Sequence, residues 1–420
     1  MSRSRVLRSP IPPLLLVLGA LLFAAPAPAL AQSCLDLPNP VIGAGGSASV
    51  PLLSRVGAAL RSNPSPAVTV IYQSPGACFG ITPYVDGTTI TGTASYWDPP
   101  PAGSPPDTPP VQRTCNLPLT GITPDFGMLG TSGTLCEGVT EIPDGIGDFA
   151  GPVTSWSLIV PTSSTQQVIS GEAGYFIYGL GPIEGQVAPW TDPAHIWGRS
   201  ATSAALIALA LAIGVPPERM GSFFSGANAD HDVVTNGAMI TRVVESGATA
   251  ADATLGFVST EVADANRGRV RSLAYQHYGQ SCGYTPDSST TSFDKRNVRD
   301  GHYFLWSAYH FYTPVDSAGV IADPETRRFV GYFTGTEPLP PELPLNEIIA
   351  ANGTIPECAM QVWRDSDLGP LYSYLPEAPC GCSYEALVTG AAPAGCTACD
   401  EASDCPSSAP VCRAGYCEVR

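Results

Sequence analysis

Two short stretches of small and hydroxyl-bearing residues have the composition of anion-binding sites. The first, Gly-Gly-Ser-Ala at residues 45–48, lies between an apolar run and a stretch with helical spacing. The second, Arg-Ser-Ala-Thr at residues 199–202, opens an apolar run over residues 201–215. Free backbone N–H groups and the helix dipole stabilise negative charge at the start of a helix. Serine and threonine are also ordinary N-caps, so one such stretch is more often structural. Here two such stretches occur far apart in the chain, on what look like separate lobes of the fold, and together they favour an anion-binding site.

Catalysis has no positive support in the sequence. It contains no Gly-x-Ser-x-Gly, His-Glu-x-x-His, P-loop or dinucleotide-binding motif. Its five histidines are scattered, and no two carboxylates stand out as an acid and a base. We therefore predict a protein that is not an enzyme, with no catalytic residue, no metal and no cofactor. A secreted hydrolase remains a further alternative, which is supported only by the predicted compartment and by the size of the chain.

Charge and composition limit the partners and the compartment. The formal net charge is −17, which argues against nucleic acid because phosphate contacts require clustered Lys and Arg. Residues 1–31 resemble a signal peptide, with Arg3, Arg5 and Arg8, an apolar run over residues 14–25 and Ala-Leu-Ala before the cleavage point. Such a run is too short to span a bilayer, which needs about 20 residues. We predict export to the periplasm or the extracellular space.

Thirteen cysteines fit an oxidising compartment. Seven of them lie between residues 380 and 417, in a stretch too poor in apolar residues to fold by burial alone. We expect disulfides there rather than zinc, because only one Cys-x-x-Cys occurs and no histidine accompanies it. Cys115 and Cys136 flank a glycine-rich segment that they could close. The odd count leaves open a lipid on Cys34, and thus a membrane anchor, as second to plain secretion.

Alternating strand and helix patterns predict an α/β protein. Residues 41–61 read as a strand, a glycine-rich turn and a helix, and residues 68–72 read as a buried strand, which together make a β-α-β unit. Helices are predicted over residues 201–215 and 236–246, and a short strand over residues 255–258. Such alternation is typical of a mostly parallel sheet.

Five segments, taken in order, are similar to one family. They are residues 41–51 (VIGAGGSASVP), 70–80 (VIYQSPGACFG), 200–202 (SAT), 255–259 (LGFVS) and 298–305 (VRDGHYFL). The chain resembles the periplasmic phosphate-binding proteins of ABC importers over roughly residues 38 to 330. This resemblance implies the type II periplasmic solute-binding fold, in which crossing strands join two α/β lobes and the ligand occupies the cleft between them.

The same resemblance implies a set of ligand-binding residues. They are Gly46, Ser47, Ala48, Ala77, Ser95, Arg199, Ser200, Ala201 and Thr202. Three positions depart from the family pattern. Ala77 stands where the family has a serine, and the aspartate that accepts the phosphate proton has no clear counterpart, with Ser95 or Asp98 nearby. Ile196 stands at the position of the family's arginine, with Arg199 close to it.

These observations predict an α/β, two-lobed periplasmic-binding-protein-like fold with a small disulfide-rich C-terminal module. The predicted segments are a signal peptide at 1–31, a two-lobed domain at 32–375 (lobe 1 about 35–150 plus 255–375, lobe 2 about 151–254) and a Cys-rich module at 376–420. The predicted function is binding of phosphate or a similar small oxyanion, with an ABC permease as a possible partner. The alternative is a secreted or surface interaction protein that uses a degenerate scaffold and the Cys-rich tail.

Overall fold

The computed structural model describes residues 32–62, 67–105, 108–221 and 230–419. The predicted signal peptide at residues 1–31 lies outside this part of the chain. Within it, no helix combines the length and the apolar character that a membrane span requires.

The strands alternate with helices along most of the chain. They are β1 Pro40–Gly45, β2 Thr69–Gln73, β3 Thr93–Asp98, β4 Val111–Asn116, β5 Phe126–Leu129, β6 Ile146–Pro161, β7 Val168–Ser170, β8 Gly198–Arg199, β9 Asp232–Val233, β10 Gly256–Ser259, β11 Val270–Ser272, β12 Ala274–Gln276, β13 Trp306–Pro314, β14 Val362–Trp363, β15 Tyr372–Ser373, β16 Val411–Arg413 and β17 Tyr416–Glu418.

The α-helices of the described residues are short to medium in length. They are α1 Val50–Ser62, α2 Thr82–Asp86, α3 Gly171–Gly174, α4 Pro182–Gly185, α5 Ala204–Ala212, α6 Asn236–Ala250, α7 Thr260–Ala265, α8 Arg296–Arg299, α9 Pro324–Thr334, α10 Leu345–Ala351 and α11 Gly381–Thr389.

One mixed sheet organises the molecule, with the order β10-β6-β13-β5-β1-β2-β3-β4 and β11 beside β6. β1 pairs in parallel with both β2 and β5, so that the chain leaves β1 first to one side and later to the other. α1 connects β1 to β2 and buries Leu52, Leu53, Val56 and Leu60 at helical spacing. The predicted β-α-β unit is therefore confirmed.

β6 runs through both lobes. Its N-terminal half pairs with β13, while its C-terminal half pairs with β10 and β11. The first lobe has a core that includes Val41, Phe126 and Phe311, and the second has a core that includes Met239 and Val258. This architecture confirms the predicted fold class. The structure places β10 and β11 with the second lobe, although the sequence analysis assigned residues from 255 onward to the first.

Both predicted helices of the second lobe are present with different ends. α5 begins at Ala204 rather than residue 201, because Arg199 pairs in β8 and the chain then turns, with Ser203 N–H donating to Ser200 O at 2.8 Å. The predicted helix start at residues 199–202 is thus corrected to a turn that precedes the helix. α6 extends to Ala250, four residues beyond the predicted end.

Disulfides hold the C-terminal segment, as predicted. The pairs are Cys382–Cys396, Cys399–Cys412 and Cys405–Cys417, while Cys358–Cys380 ties the segment to the preceding fold. Three of these sulfur atoms, from Cys399, Cys405 and Cys417, lie within 4.8 Å of one another. Since all three are in disulfides, they are not thiolate ligands for a metal.

Two expectations about the other cysteines are corrected. Cys115 pairs with Cys34 and Cys136 pairs with Cys78, so the predicted closure of one segment by Cys115 and Cys136 is wrong. A β-bridge between Ser33 and Asn116 places the N-terminal end of the described chain beside β4. Cys34 therefore lies next to Cys115. The Cys34 sulfur is therefore not available for a lipid, and the unpaired cysteine is the exposed Cys282.

Candidate anion-binding cavity

A cavity of about 120 Å³ lies where the two lobes meet, at the carboxyl ends of β1, β2 and β5. In open α/β sheets, ligands bind outside the carboxyl ends of the strands, at the point where the strand order reverses. Here that point is β1, which has β2 on one side and β5 on the other. The second lobe adds the segments after β8 and β9 and the last residue of β10 to the wall.

The first lobe contributes the turn that follows β1. Gly45 has φ of +148°, and a Cβ atom there would lie 2.1 Å from Met128 O, so only glycine fits. Gly46 N–H donates to Met128 O at 3.2 Å, and the Tyr72 hydroxyl donates to Gly46 O at 3.1 Å. The chain then makes a 3₁₀ turn over Ser47–Ser49 that continues into α1. The start of this helix is consequently fixed at the cavity wall.

The second lobe contributes a buried arginine. Arg199 is 4% exposed, and its Nε and Nη2 donate to Val233 O at 3.0 Å and Val234 O at 3.1 Å. Its Nη1 donates to Asn236 Oδ1, and Asn236 Nδ2 donates to Ser259 Oγ at 3.2 Å. Burial lowers the pKa of Arg199 to about 10, so the guanidinium stays charged at neutral pH. Of its five N–H donors, these three contacts leave two for a ligand.

Two loops close over the cavity. Ala77 N–H donates to Thr202 O at 3.1 Å. A Cβ atom at Gly76 would lie 2.8 Å from Thr202 Oγ1, so glycine allows this approach. The loops after β2 and β8 are therefore in contact, and the Ala77 N–H is already used within the chain.

The structure brings together most of the residues that the sequence singled out. Those that line the cavity are Gly46, Ser47, Ala48, Ala77, Arg199, Ser200 and Thr202. Ala201 is exposed and is not part of the lining. Ser95 is also outside it, on β3, where its hydroxyl accepts a hydrogen bond from Gln112 Nε2 at 2.8 Å.

Sequence reasoning missed eight polar residues of the lining, which are Ser49, Ser74, Thr154, Ser203, Thr235, Asn236, Ser259 and Tyr309. Asn236 and Ser259 had a local signal, since one opens the predicted helix and the other follows the predicted strand. Thr154 and Tyr309 had none, and Ser49 lies in the segment 41–51 that carries the family resemblance. Their hydroxyls are buried and have no hydrogen-bond partner of acceptable geometry. Burial raises the pKa of Tyr309 well above its ordinary value, so this phenol is neutral and can donate.

The residues that line the cavity indicate the charge of the ligand that it can bind. Of the described residues, those that line the cavity include one guanidinium, nine Ser or Thr hydroxyls and no carboxylate. The whole chain, in contrast, has 37 acidic and 20 basic residues. A cavity with one cation, many donors and no anion is suited to a negatively charged ligand.

Comparisons with known proteins give structural matches only. No protein-family model matches the chain, and no curated protein matches it. The solved structures include a putative phosphate ABC transporter substrate-binding protein with bound phosphate from Clostridium perfringens, at 13% identity, 76% of this chain, 99% of that chain and a TM-score of 0.49. The chain is similar in fold to substrate-binding proteins of phosphate ABC transporters.

Two further structures are similar over the same share of the chain. An ABC-type phosphate transport receptor from Vibrio cholerae has 16% identity, with 76% of this chain and 99% of that chain covered and a TM-score of 0.44. A possible phosphate binding protein from Planctomyces limnophilus has 11% identity, with 76% and 94% covered and a TM-score of 0.44.

Proposed function

We propose that this chain is an exported solute-binding protein that holds phosphate or a similar small oxyanion and catalyses no reaction. The observation that carries the proposal is the cavity lining, which joins the Arg199 guanidinium to hydroxyls and to the start of a helix, without a carboxylate among its described residues. Hydrogen bonds to a charged group contribute about 1.5–3 kcal/mol each. A few of them suffice for binding.

The size of the cavity fits a small ligand. By the same measure, a water molecule needs about 10–15 Å³. A volume of about 120 Å³ therefore accommodates a tetrahedral oxyanion. Drug-sized ligands occupy pockets of about 300–1,000 Å³.

The acidic character of the chain does not prevent such binding. The net charge of −17 acts at long range and mainly slows the encounter with an anion. At short range, Arg199 and oriented N–H and O–H dipoles replace the hydration of the ligand. We further propose an ABC permease as the partner that would receive the ligand, and a hinge motion of the lobes as the means of release.

One observation favours a second function. The Ala77 N–H donates to Thr202 O, so the two loops satisfy each other without a ligand. A fold that no longer binds a ligand would still keep such a hydrogen bond between its two loops. In that case the chain would be a secreted or surface interaction protein, with the Cys-rich tail as its contact surface.

Titration calorimetry of residues 32–420 with phosphate tests the proposal, with sulfate and arsenate as comparisons. We expect saturable binding that Arg199→Gln weakens about 10- to 100-fold, the loss of one charged hydrogen bond. Thr202→Val should weaken it less. Arg113→Gln, which changes an arginine on the exposed edge strand β4, is the matched control and should leave the affinity unchanged.

Sulfate and phosphate should bind with similar affinity. A protonated phosphate oxygen needs an acceptor, and the described lining offers only hydroxyl, amide and backbone oxygens for it. A flat titration at millimolar phosphate with a folded chain would remove the anion-binding proposal and favour the scaffold function.

A further inference from the structure

A second cavity, of about 540 Å³, lies apart from the anion-binding cavity. It is bordered by β13, the N-terminal half of β6 and the segment 363–367, and it shares no lining residue with the first cavity. Its volume is in the range of small-molecule sites. The polar groups that line it are not used by the proposed function.

The first feature of this cavity is a buried arginine with unused donors. Arg364 is 6% exposed and lies between two aromatic rings, 4.0 Å from the ring centre of Trp306 and 4.9 Å from that of Phe304. Its Nη2 donates to Phe304 O at 3.4 Å, but Nε and Nη1 have no hydrogen-bond partner. The described residues give it no ion pair. Trp306 Nε1 is likewise buried without a partner. Buried donors of this kind are costly unless an acceptor reaches them.

The second feature is a histidine held between two carboxylates. His310 Nδ1 lies 2.8 Å from Asp148 Oδ1, and Nε2 lies 3.4 Å from an oxygen of Asp367. Burial alone would lower the pKa of His310, but these hydrogen bonds outweigh it and raise the pKa to about 10. The imidazolium is charged at neutral pH, and each carboxylate has lone pairs left to accept from a ligand.

The charged groups that line the cavity are of both signs. Arg364 and His310 are cations, while Asp148, Asp365 and Asp367 are anions. An anionic ligand would meet the carboxylates, and a cationic ligand would meet the guanidinium and the imidazolium. A hydroxyl group, in contrast, accepts from the arginine and donates to a carboxylate at the same time.

An aromatic side chain supplies the apolar part of the wall. Trp363 is half-buried, and its ring centre lies 6.2 Å from that of Trp306. Tryptophan combines a large apolar surface with a polar N–H, so it can cover the C–H face of a ring whose edge carries hydroxyls. We propose that this cavity binds a neutral, polyhydroxylated ligand, a sugar of one or two rings.

Calorimetric titration of residues 32–420 with D-glucose, D-galactose, N-acetylglucosamine and cellobiose tests this site, with tryptophan fluorescence as a second readout. We expect saturable binding of at least one sugar, and Trp363→Ala should weaken it at least tenfold. Tyr175→Ala, which removes an exposed aromatic ring outside both cavities, is the control and should have no effect. Phosphate affinity should be the same in all these chains, which separates this proposal from the proposed function.

Two results would overturn the proposal. One is the absence of saturable binding for all four sugars by a folded chain. The other is binding of acetate at this cavity that Trp363→Ala abolishes, because an anion would then be the ligand. If Trp363→Ala lowers the unfolding temperature too far, Asp365→Asn replaces it. Asp365 is an exposed residue of the lining, and its substitution should weaken sugar binding at least threefold.

Discussion

Glu261 is a buried carboxylate without a hydrogen-bond partner at either oxygen. It occupies the second position of α7 and is 7% exposed. Burial raises its pKa to about 7 and outweighs the lowering effects of the Ser259 hydroxyl, of its own backbone N–H and of the Lys295 charge, while the Asp264 charge acts in the same direction as burial. An unfolded glutamate has a pKa of about 4.3, so folding holds this proton more tightly than the unfolded chain does.

The free energy of unfolding should therefore fall as pH rises from about 4.5 to 7. Below that window the group is protonated in both states, and above it the ionised unfolded chain is favoured by about 3 kcal/mol in total. About 2 kcal/mol of this should appear between pH 5.5 and 8.5. We expect Glu261→Gln to remove that part of the pH dependence, measured by denaturant unfolding at both pH values.

The exposed Glu342→Gln is the control for this prediction and should behave as the unchanged chain. Comparing each variant with the parent cancels other titrations, such as the stability that His310 contributes below about pH 6.5 and loses as pH rises toward 10. An unchanged pH profile in Glu261→Gln would show that this carboxylate is not the cause.

The local sequence pattern predicted only some of the residues that line the anion-binding cavity. Ser47 and Thr202 were predicted because each lies in a short stretch of small and hydroxyl-bearing residues at an expected helix start, and because the family resemblance implies both. Thr154 and Tyr309 lie in the middle of long strands, and their place at the cavity depends on how β6 pairs with β13. Strand pairing over 150 residues of separation leaves no trace in local periodicity.

At the element scale, the Cys78–Cys136 disulfide connects the loop after β2 to the turn after β5. Cys78 directly follows Ala77, whose N–H contacts the second lobe. The sequence predicted the β-α-β unit correctly because periodicity is local, but it predicted the wrong partner for Cys136. Cysteine pairing is fixed by the final fold and not by spacing.

Removing this disulfide should lower both stability and ligand affinity. The bond closes a segment of 58 residues, worth about 4 kcal/mol in the chain-entropy treatment. We expect Cys78→Ala with Cys136→Ala to lower the unfolding temperature and to weaken phosphate binding, because the cavity loop loses its anchor. Calorimetric scans and titrations measure both effects.

A matched pair of substitutions separates the two effects. Cys382→Ala with Cys396→Ala removes a disulfide that closes 14 residues, worth about 3 kcal/mol, and these cysteines are outside the cavity lining. This variant should be less stable but should bind phosphate with unchanged affinity. Equal losses of affinity in both variants would mean that the Cys78–Cys136 anchor has no specific role.

At the scale of the whole molecule, the C-terminal segment is packed into the main core. Tyr384 of α11 is fully buried in the largest apolar cluster, together with Trp156 and Phe257. Arg299 Nη1 lies 3.1 Å from Glu385, and its Nε donates to Ala359 O at 3.0 Å. The sequence analysis assigned residues 376–420 to a separate module, since their composition differs sharply. The composition of this segment predicts its disulfides, but it does not predict which surface of the main fold the segment packs against.

Two truncations distinguish an integral segment from a tethered one. A chain ending at residue 379, with Cys358→Ala, loses α11 and leaves Arg299 without its carboxylate, so its free energy of unfolding should fall by at least about 3 kcal/mol. A chain ending at residue 397 keeps α11 and Cys382–Cys396 and should lose less, mainly the Glu418 contacts to Cys382 N–H and Ser383 N–H. Scanning calorimetry in one buffer ranks the three chains. If the shorter chain unfolds at the temperature of the full chain, the tail contributes nothing to the core and is free to act as a contact surface, as the scaffold function requires.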